Sequence, residues 1–255
     1  MREYNHLKAA NHNCLACVKQ LDDCEKTLDC CCKNCFKDGS TNLLKTLEYN
    51  ELDSLVDGKQ QIIFKPGETI IKQNLSSTYV ICIRKGLAKV FVEGVKGKSL
   101  IVKLIGQHDF ISGGDLFNGN VQQFTVSAIT EVHCCLINSA RLTQLFIENN
   151  RFAIELLRNH AKQNANLLNK LVVLTQKYMP GRVADTLLYL KDYVFCTNPF
   201  SVPLTRQDLA DMSNMTKESL VRILQQFKSS GLIKTRGNSF EILNESGLQE
   251  ISKNG

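Results

Sequence analysis

The sequence predicts an α+β chain in which a β-roll is followed by a long helix and then by a winged helix-turn-helix. Three observations predict it: short β-type runs punctuated by glycine between about 43 and 140, apolar residues at heptad spacing beyond Asn149, and two cappable helical segments around Asn214. Those changes of pattern divide the 255 residues into a cysteine-rich segment 1–40, a β-roll 41–148, a helix 149–179 and a terminal domain 180–255.

The β region is read from its runs. Ile62-Ile63-Phe64 stops at Pro66-Gly67-Glu68, and Tyr79-Val80-Ile81-Cys82-Ile83 stops at Lys85-Gly86. Lys89-Val90-Phe91-Val92 meets a turn from Gly94 to Gly97, and Leu100 to Ile105 ends at Gly106. Strands this short, broken by glycine, suit a sandwich or roll and not a series of β-α-β units.

Beyond Asn149 the apolar positions step by three and four. Ile154, Leu157, Ala161, Leu168 and Leu171 form a narrow seam with Asn164 inside it. So thin a stripe covers a globular core poorly and suits a second copy of the same helix, with the asparagine fixing register. The competing reading is a long helix packed on its own β domain. Pro180-Gly181 is expected to break it.

The stretch 204–224 is the most informative. Thr205 can cap a helix running to about Met212, Ala210 lets a second helix come close, and Asn214 tolerates the left-handed turn between them. Thr216 can cap the second helix, which buries Leu220, Ile223, Leu224 and Phe227 and leaves Lys217, Glu218, Val221 and Arg222 outside. These are the positions at which a recognition helix meets base edges. Arg222 can donate twice to guanine, Glu218 can accept from cytosine, and Lys217 and Thr216 suit phosphate. Leu232 to Lys234 and Phe240 to Leu243 then form a hairpin around Arg236-Gly237-Asn238, a wing that carries Lys234 and Arg236 toward a phosphate backbone.

Thr205-Arg206-Gln207-Asp208-Leu209-Ala210, then Thr216 to Leu224, then Gly231-Leu232-Ile233 resemble the DNA-binding domain of the Crp/Fnr superfamily. Asp109-Phe110-Ile111 and Asp115-Leu116-Phe117 resemble the signature of its cyclic-nucleotide-binding-type jelly roll, and Gly181-Arg182-Val183-Ala184 the start of the helix leading into its winged domain. The resemblance covers nearly the whole chain. It implies a homodimeric bacterial transcription regulator whose seam helix is the dimerisation helix, with double-stranded DNA and RNA polymerase as partners. It places Thr205, Arg206, Thr216, Lys217, Glu218, Val221 and Arg222, with Lys234 and Arg236 of the wing, at the DNA. Glu218 and Arg222 stand where the family reads a TGA-containing half-site in an inverted repeat. Val221 stands where oxygen-sensing members carry serine.

Members that bind cyclic AMP hold it with a Gly-Glu and an Arg-Ser pair. Here the corresponding residues are Ser112-Gly113 and the stretch Gln122-Gln123-Phe124-Thr125, so the phosphate would lack a cation and cyclic AMP is not expected.

The cysteines point elsewhere. Seven of the 11 fall before residue 36: Cys14, Cys17, Cys24, Cys30, Cys31, Cys32 and Cys35. So many soft ligands in one segment suit iron–sulfur, zinc or copper(I). By the resemblance, Cys135 stands at the central ligand of the oxygen-sensing branch, whose 4Fe–4S cluster is completed by N-terminal cysteines. Cys14, Cys17 and Cys24 fit that spacing, with Cys30, Cys31, Cys32 and Cys35 as alternatives. Cys14, Cys17, Cys32 and Cys35 also read as a structural zinc site, and thiols without metal are a third reading. Cys82 and Cys134 lie in strand patterns and read as small core residues. The five histidines are scattered.

A formal charge of +6 is compatible with a polyanionic partner. No apolar run reaches the roughly 18 residues of a membrane span. The polar stretch from Met1 to Asn13 has no signal-peptide core, so a cytoplasmic chain is expected. No cysteine has a histidine and an acid at useful spacing, and no phosphate-cradling glycine loop is present, so an enzyme is not expected.

Overall fold

The computed structural model describes residues 42–107, 109–111 and 121–255. The N-terminal cysteines Cys14, Cys17, Cys24, Cys30, Cys31, Cys32 and Cys35 lie outside the described residues, as do Ser112-Gly113 and Asp115-Leu116-Phe117.

The sequence predicts strands from about residue 43, but the described residues open with two helices, α1 (Asn42–Lys45) and α2 (Tyr49–Val56). The cause is local. The Glu48 backbone N–H donates to the Glu51 carboxylate at 2.7 Å, closing the start of α2. Leu52 and Leu55, three apart, then share one buried face.

Among the described residues eight strands follow: β1 (Gln60–Phe64), β2 (Thr69–Ile71), β3 (Tyr79–Lys85), β4 (Ala88–Glu93), β5 (Ser99–Ile105), β6 (Phe110–Ile111), β7 (Thr125–Ala128) and β8 (Val132–Asn138). They form two antiparallel sheets, ordered β1-β8-β3-β6 and β2-β7-β4-β5. The first sheet is covered on both faces, which is why β3 reads as a continuous apolar run. Ile81, Ile83, Val132 and Cys134 face the second sheet. Val80, Cys82, Cys135 and Ile137 face the other way, onto Leu44, Leu47, Leu52, Leu55 and the helices that follow β8.

Those helices are α3 (Ser139–Glu148) and α4 (Asn150–Gln176). Asn138 caps α3 by accepting from the Ala140 N–H, and Asn149 caps α4 by accepting from the Phe152 N–H at 3.0 Å. The Asn149 amide also donates to Glu51 at 2.8 Å, tying α4 to α2. Phe152 and Leu156 are buried on the β-roll. On the opposite face Ile154, Leu157, Leu168 and Leu171 are 49–58% exposed, and Ala161 and Asn164 lie exposed between them.

The break in the helix falls earlier than the sequence predicts. α4 ends at Gln176 and α5 (Met179–Tyr189) begins two residues before Gly181, with Pro180 in its first turn. A first-turn N–H has no intrahelical acceptor, so proline starts this helix and does not end the previous one.

A π-helical turn (Leu190–Phe195) leads to β9 (Phe200–Ser201), α6 (Arg206–Met212), α7 (Lys217–Ser229), β10 (Ile233–Arg236), β11 (Ser239–Ile242) and α8 (Glu245–Asn254). β9 extends the hairpin to a three-stranded sheet, β10-β11-β9, with the Phe200 and Phe240 rings stacked 5.9 Å apart. α8 packs on α5 so closely that a Cβ on Gly181 would meet the Gly255 backbone at 2.8 Å, which leaves room for glycine alone.

The two halves share a core. Leu87, Ile101 and Leu104 of the β-roll join Val183, Leu187, Leu209 and Phe227 of the terminal domain in one buried cluster. Around it, the Leu104 N–H donates to the Tyr189 hydroxyl at 3.4 Å, and Lys89 of β4 pairs with Asp208 of α6.

From α4, the Lys170 ammonium donates to the Met212 carbonyl at the end of α6, at 2.7 Å. Burial lowers the Lys170 pKa from 10.5 to about 8, against the pull of Asp185. Between those two values the unfolded chain keeps a proton that the folded chain has released, so this group makes stability rise with pH over that window. Wild type is therefore expected to gain stability relative to Lys170→Met from pH 8 to pH 10 in urea unfolding. A constant difference between the two proteins would mean that the ammonium is not buried.

Candidate nucleic-acid interface

The helix-turn-helix is built by its caps. The Thr205 hydroxyl accepts from the Asp208 N–H at 3.1 Å, and the Thr205 N–H donates back to the Asp208 carboxylate at 2.9 Å. This reciprocal pair closes the start of α6. Burial pushes the Asp208 carboxyl up, but hydrogen bonds from Lys89 and from the Thr205 hydroxyl and backbone outweigh it, and the net shift is downward. The same carboxylate thus starts α6 and ties it to β4.

The turn is held from three sides. Asn214 has φ 50°, the left-handed conformation asparagine tolerates. Lys170 holds the Met212 carbonyl and Arg182 donates to the Asn214 carbonyl at 3.2 Å. Ser213 is fully buried, and its hydroxyl lies 2.9 Å from that of Thr186 on α5.

Thr216 caps α7 by accepting from the Ser219 N–H. Leu220, Ile223, Leu224 and Phe227 go inside, as the sequence predicts, and Lys217, Glu218, Val221 and Arg222 lie on the exposed face. Val221 is 47% exposed, high for a side chain that gains by burial. The Glu218 carboxyl is held below its usual value by its own backbone N–H and the Thr216 hydroxyl, so it stands ionised as an acceptor. A shallow groove continues along this face past Gln225 and Gln226 to Ser229. The glutamines were missed in the sequence, although each stands four residues after Val221 and Arg222 and so one turn along the same face.

The wing lies beside α7. Lys234 and Arg236 are exposed, Lys234 with Glu241 at 3.6 Å. Arg206 is not free for a ligand to the same degree. It donates to the Gly237 carbonyl at the wing tip at 2.8 Å and lies 4.8 Å from the centre of the Phe240 ring. Gly237 has φ 59°, so that carbonyl is set by a tight turn. The Thr205 side chain is likewise engaged, in its cap.

Of the candidate metal ligands, Cys135 alone lies among the described residues. It is 1% exposed on the helix-facing side of β8, in the cluster that includes Leu44 and Leu47 at the entry of the N-terminal segment. Its neighbour on β1 is Gln61, which accepts from Arg84 at 3.1 Å. Gln61 Nε2 and Arg84 Nε are buried donors with no acceptor among the described residues. Cys134 points to the other face, where burial pushes its thiol up to about 11. No group of three or more His, Cys, Asp or Glu suited to a metal occurs among the described residues. No described helix is long and apolar enough to cross a membrane.

Residues 61–149 match the family described as cyclic nucleotide-binding domain, and residues 181–251 the Crp-like helix-turn-helix domain. The chain is 25% identical over 228 residues to the transcriptional activator protein FnrA of Stutzerimonas stutzeri, covering 85% of this chain and 90% of that one. It is 27% identical over 178 residues to the cAMP-activated global transcriptional regulator CRP of Salmonella typhimurium, covering 68% and 85%. Among solved structures, FixK2 from Bradyrhizobium japonicum superposes with a TM-score of 0.69 at 19% identity, over 76% of this chain and 96% of that one. A Crp/Fnr-family regulator from Eubacterium rectale superposes with a TM-score of 0.70 at 17% identity, over 83% and 97%. These likenesses run through both the β-roll and the reading head, and the chain belongs to the Crp/Fnr family of DNA-binding transcriptional regulators, which are not enzymes.

Proposed function

We propose that the protein is a homodimer that reads an inverted repeat of TGA-containing half-sites through α7 and is switched by a 4Fe–4S cluster joining its N-terminal segment to the β-roll. The observation that carries this reading is the pair of exposed faces on α4 and α7, one apolar and one polar, each set by buried residues on its inner side.

The α4 stripe of Ile154, Leu157, Ala161, Asn164, Leu168 and Leu171 pairs with its copy. Full burial of a leucine or isoleucine stabilises by about 1.5–3 kcal/mol, so the four large members offset a substantial ordering cost. Pairing of α4 fixes two α7 helices in one two-fold frame, and half-sites then recur as an inverted repeat. Arg222 donates to guanine and Glu218 accepts from cytosine, while Lys217, Thr216, Lys234 and Arg236 meet phosphates. Arg206 acts by holding the wing. RNA polymerase is the partner through which such a regulator acts on transcription.

The residues near Cys135 fit an iron–sulfur group. Cys135 supplies a thiolate from a rigid strand, and Gln61 Nε2 and Arg84 Nε are buried donors suited to anionic sulfur. Three of Cys14, Cys17, Cys24, Cys30, Cys31, Cys32 and Cys35 complete the set, Cys14, Cys17 and Cys24 by spacing. A 4Fe–4S cluster supplies redox-labile ligation, present or lost with the oxidant level. Cys135 shares its cluster of side chains with Phe152 and Leu156, so a change of ligation at β8 reaches the first turns of α4 directly. Cyclic AMP is not the effector in this reading.

Arg222→Ala is expected to cost about 1–3 kcal/mol at its base pair and relax specificity there, with the dimer intact; unchanged specificity in a footprint would remove α7 as the reader. Protein purified without oxygen is expected to show broad absorption near ~400 nm from thiolate-to-iron charge transfer and about four irons per chain, both lost in Cys135→Ala. Colourless protein with about one zinc, indifferent to Cys135→Ala, would instead make the N-terminal segment a structural zinc site.

A further inference from the structure

Cys82 on β3 and Cys135 on β8 are register partners. Both belong to the cluster formed with Leu44, Leu47, Phe152 and Leu156, so both side chains leave the sheet on the same face. Directly opposed residues of an antiparallel pair lie about 4.5–5.5 Å apart at Cα, inside the roughly 4.4–6.8 Å spanned by disulfides. Cys134, although adjacent in sequence, faces the other sheet and takes no part. The row continues to Gln61 on the far side of Cys135, with Arg84 bonded to it and two buried N–H donors, Gln61 Nε2 and Arg84 Nε, left over.

We propose that Cys82 and Cys135 form an oxidisable dithiol that hydrogen peroxide closes into a cross-strand disulfide. One thiolate attacks a peroxide oxygen and displaces hydroxide, leaving a sulfenic acid. The second thiolate attacks the sulfenic sulfur, forms the S–S bond and displaces the second hydroxide. The two thiol protons convert both hydroxides to water, so the pair loses two electrons and the peroxide takes them up. Gln61 Nε2 and Arg84 Nε are the donors for the anionic sulfur and oxygen of these steps. The bond draws the sulfurs to about 2.05 Å, repacking the contact with Phe152 and Leu156 at the start of α4, and it withdraws Cys135 from any metal. The inference rests on strand register and not on the cluster reading, with which it shares Cys135 and the donors of Gln61 and Arg84.

The test is peptide mapping of the full-length protein after hydrogen peroxide and alkylation under denaturing conditions. It is run on protein isolated without oxygen and on the same protein after iron and zinc are removed by a chelator. The expected product joins the Cys82 peptide to the peptide bearing Cys134 and Cys135, persists in Cys134→Ala, and is lost in Cys135→Ala and in Cys82→Ala. A link formed only after chelation supports the dithiol and a metal held by Cys135. A link formed equally in both samples supports the dithiol and counts against Cys135 as a ligand. Cys82 recovered fully alkylated in both samples, or a link that survives Cys135→Ala, overturns the proposal whatever the iron analysis gives.

Discussion

The fold depends on how α4 divides its two faces. At its start Phe152 and Leu156 are buried on the β-roll, and toward its end Lys170 bonds the Met212 carbonyl of the terminal domain and Leu174 is buried. With about 3.6 residues per turn, those four positions fix the rotation of the helix, and the stripe from Ile154 to Leu171 is left outside. Among the described residues nothing covers that stripe. The exposed apolar surface therefore follows from intramolecular packing, as does the direction in which a second copy would have to approach.

The same helix connects the β-roll to the helix-turn-helix by a short route. Lys170 holds the last carbonyl of α6, and the turn it helps fix places α7. A second connection bypasses α4 altogether, because Leu87, Ile101 and Leu104 of the β-roll share a core with the terminal domain and Lys89 pairs with Asp208. A shift of the β-roll strands that α4 does not transmit still reaches α6 through these contacts. The reader is thus seated on two supports, and both start from the β-roll.

Local features were legible in the sequence. The helix-turn-helix is written in Thr205, Asn214 and Thr216, each acting within a few residues through a cap or a left-handed turn, and the strands around Gly86 and Gly97 are bounded by residues that permit positive φ. What escaped depends on partners distant in the chain. β9 has only two residues and exists because β11 pairs with it, α8 is held by α5, and the entry helices α1 and α2 are stabilised by a face that α3 and α4 complete. Pro180 was read as a stop when its place in a first turn makes it a start. The pairing of Cys82 with Cys135 is a matter of register, which no pattern within either strand reveals.

Sedimentation equilibrium on the full-length protein, beside a Leu157→Glu, Leu168→Glu variant, bears most directly on the division of α4 into an inner and an outer face. If the outer stripe pairs, the wild type sediments as a dimer and the variant as a folded monomer with its circular dichroism unchanged. A wild type that stays monomeric at high concentration, or a variant that remains dimeric, would contradict pairing through α4 and with it the two-fold arrangement of the reading helices.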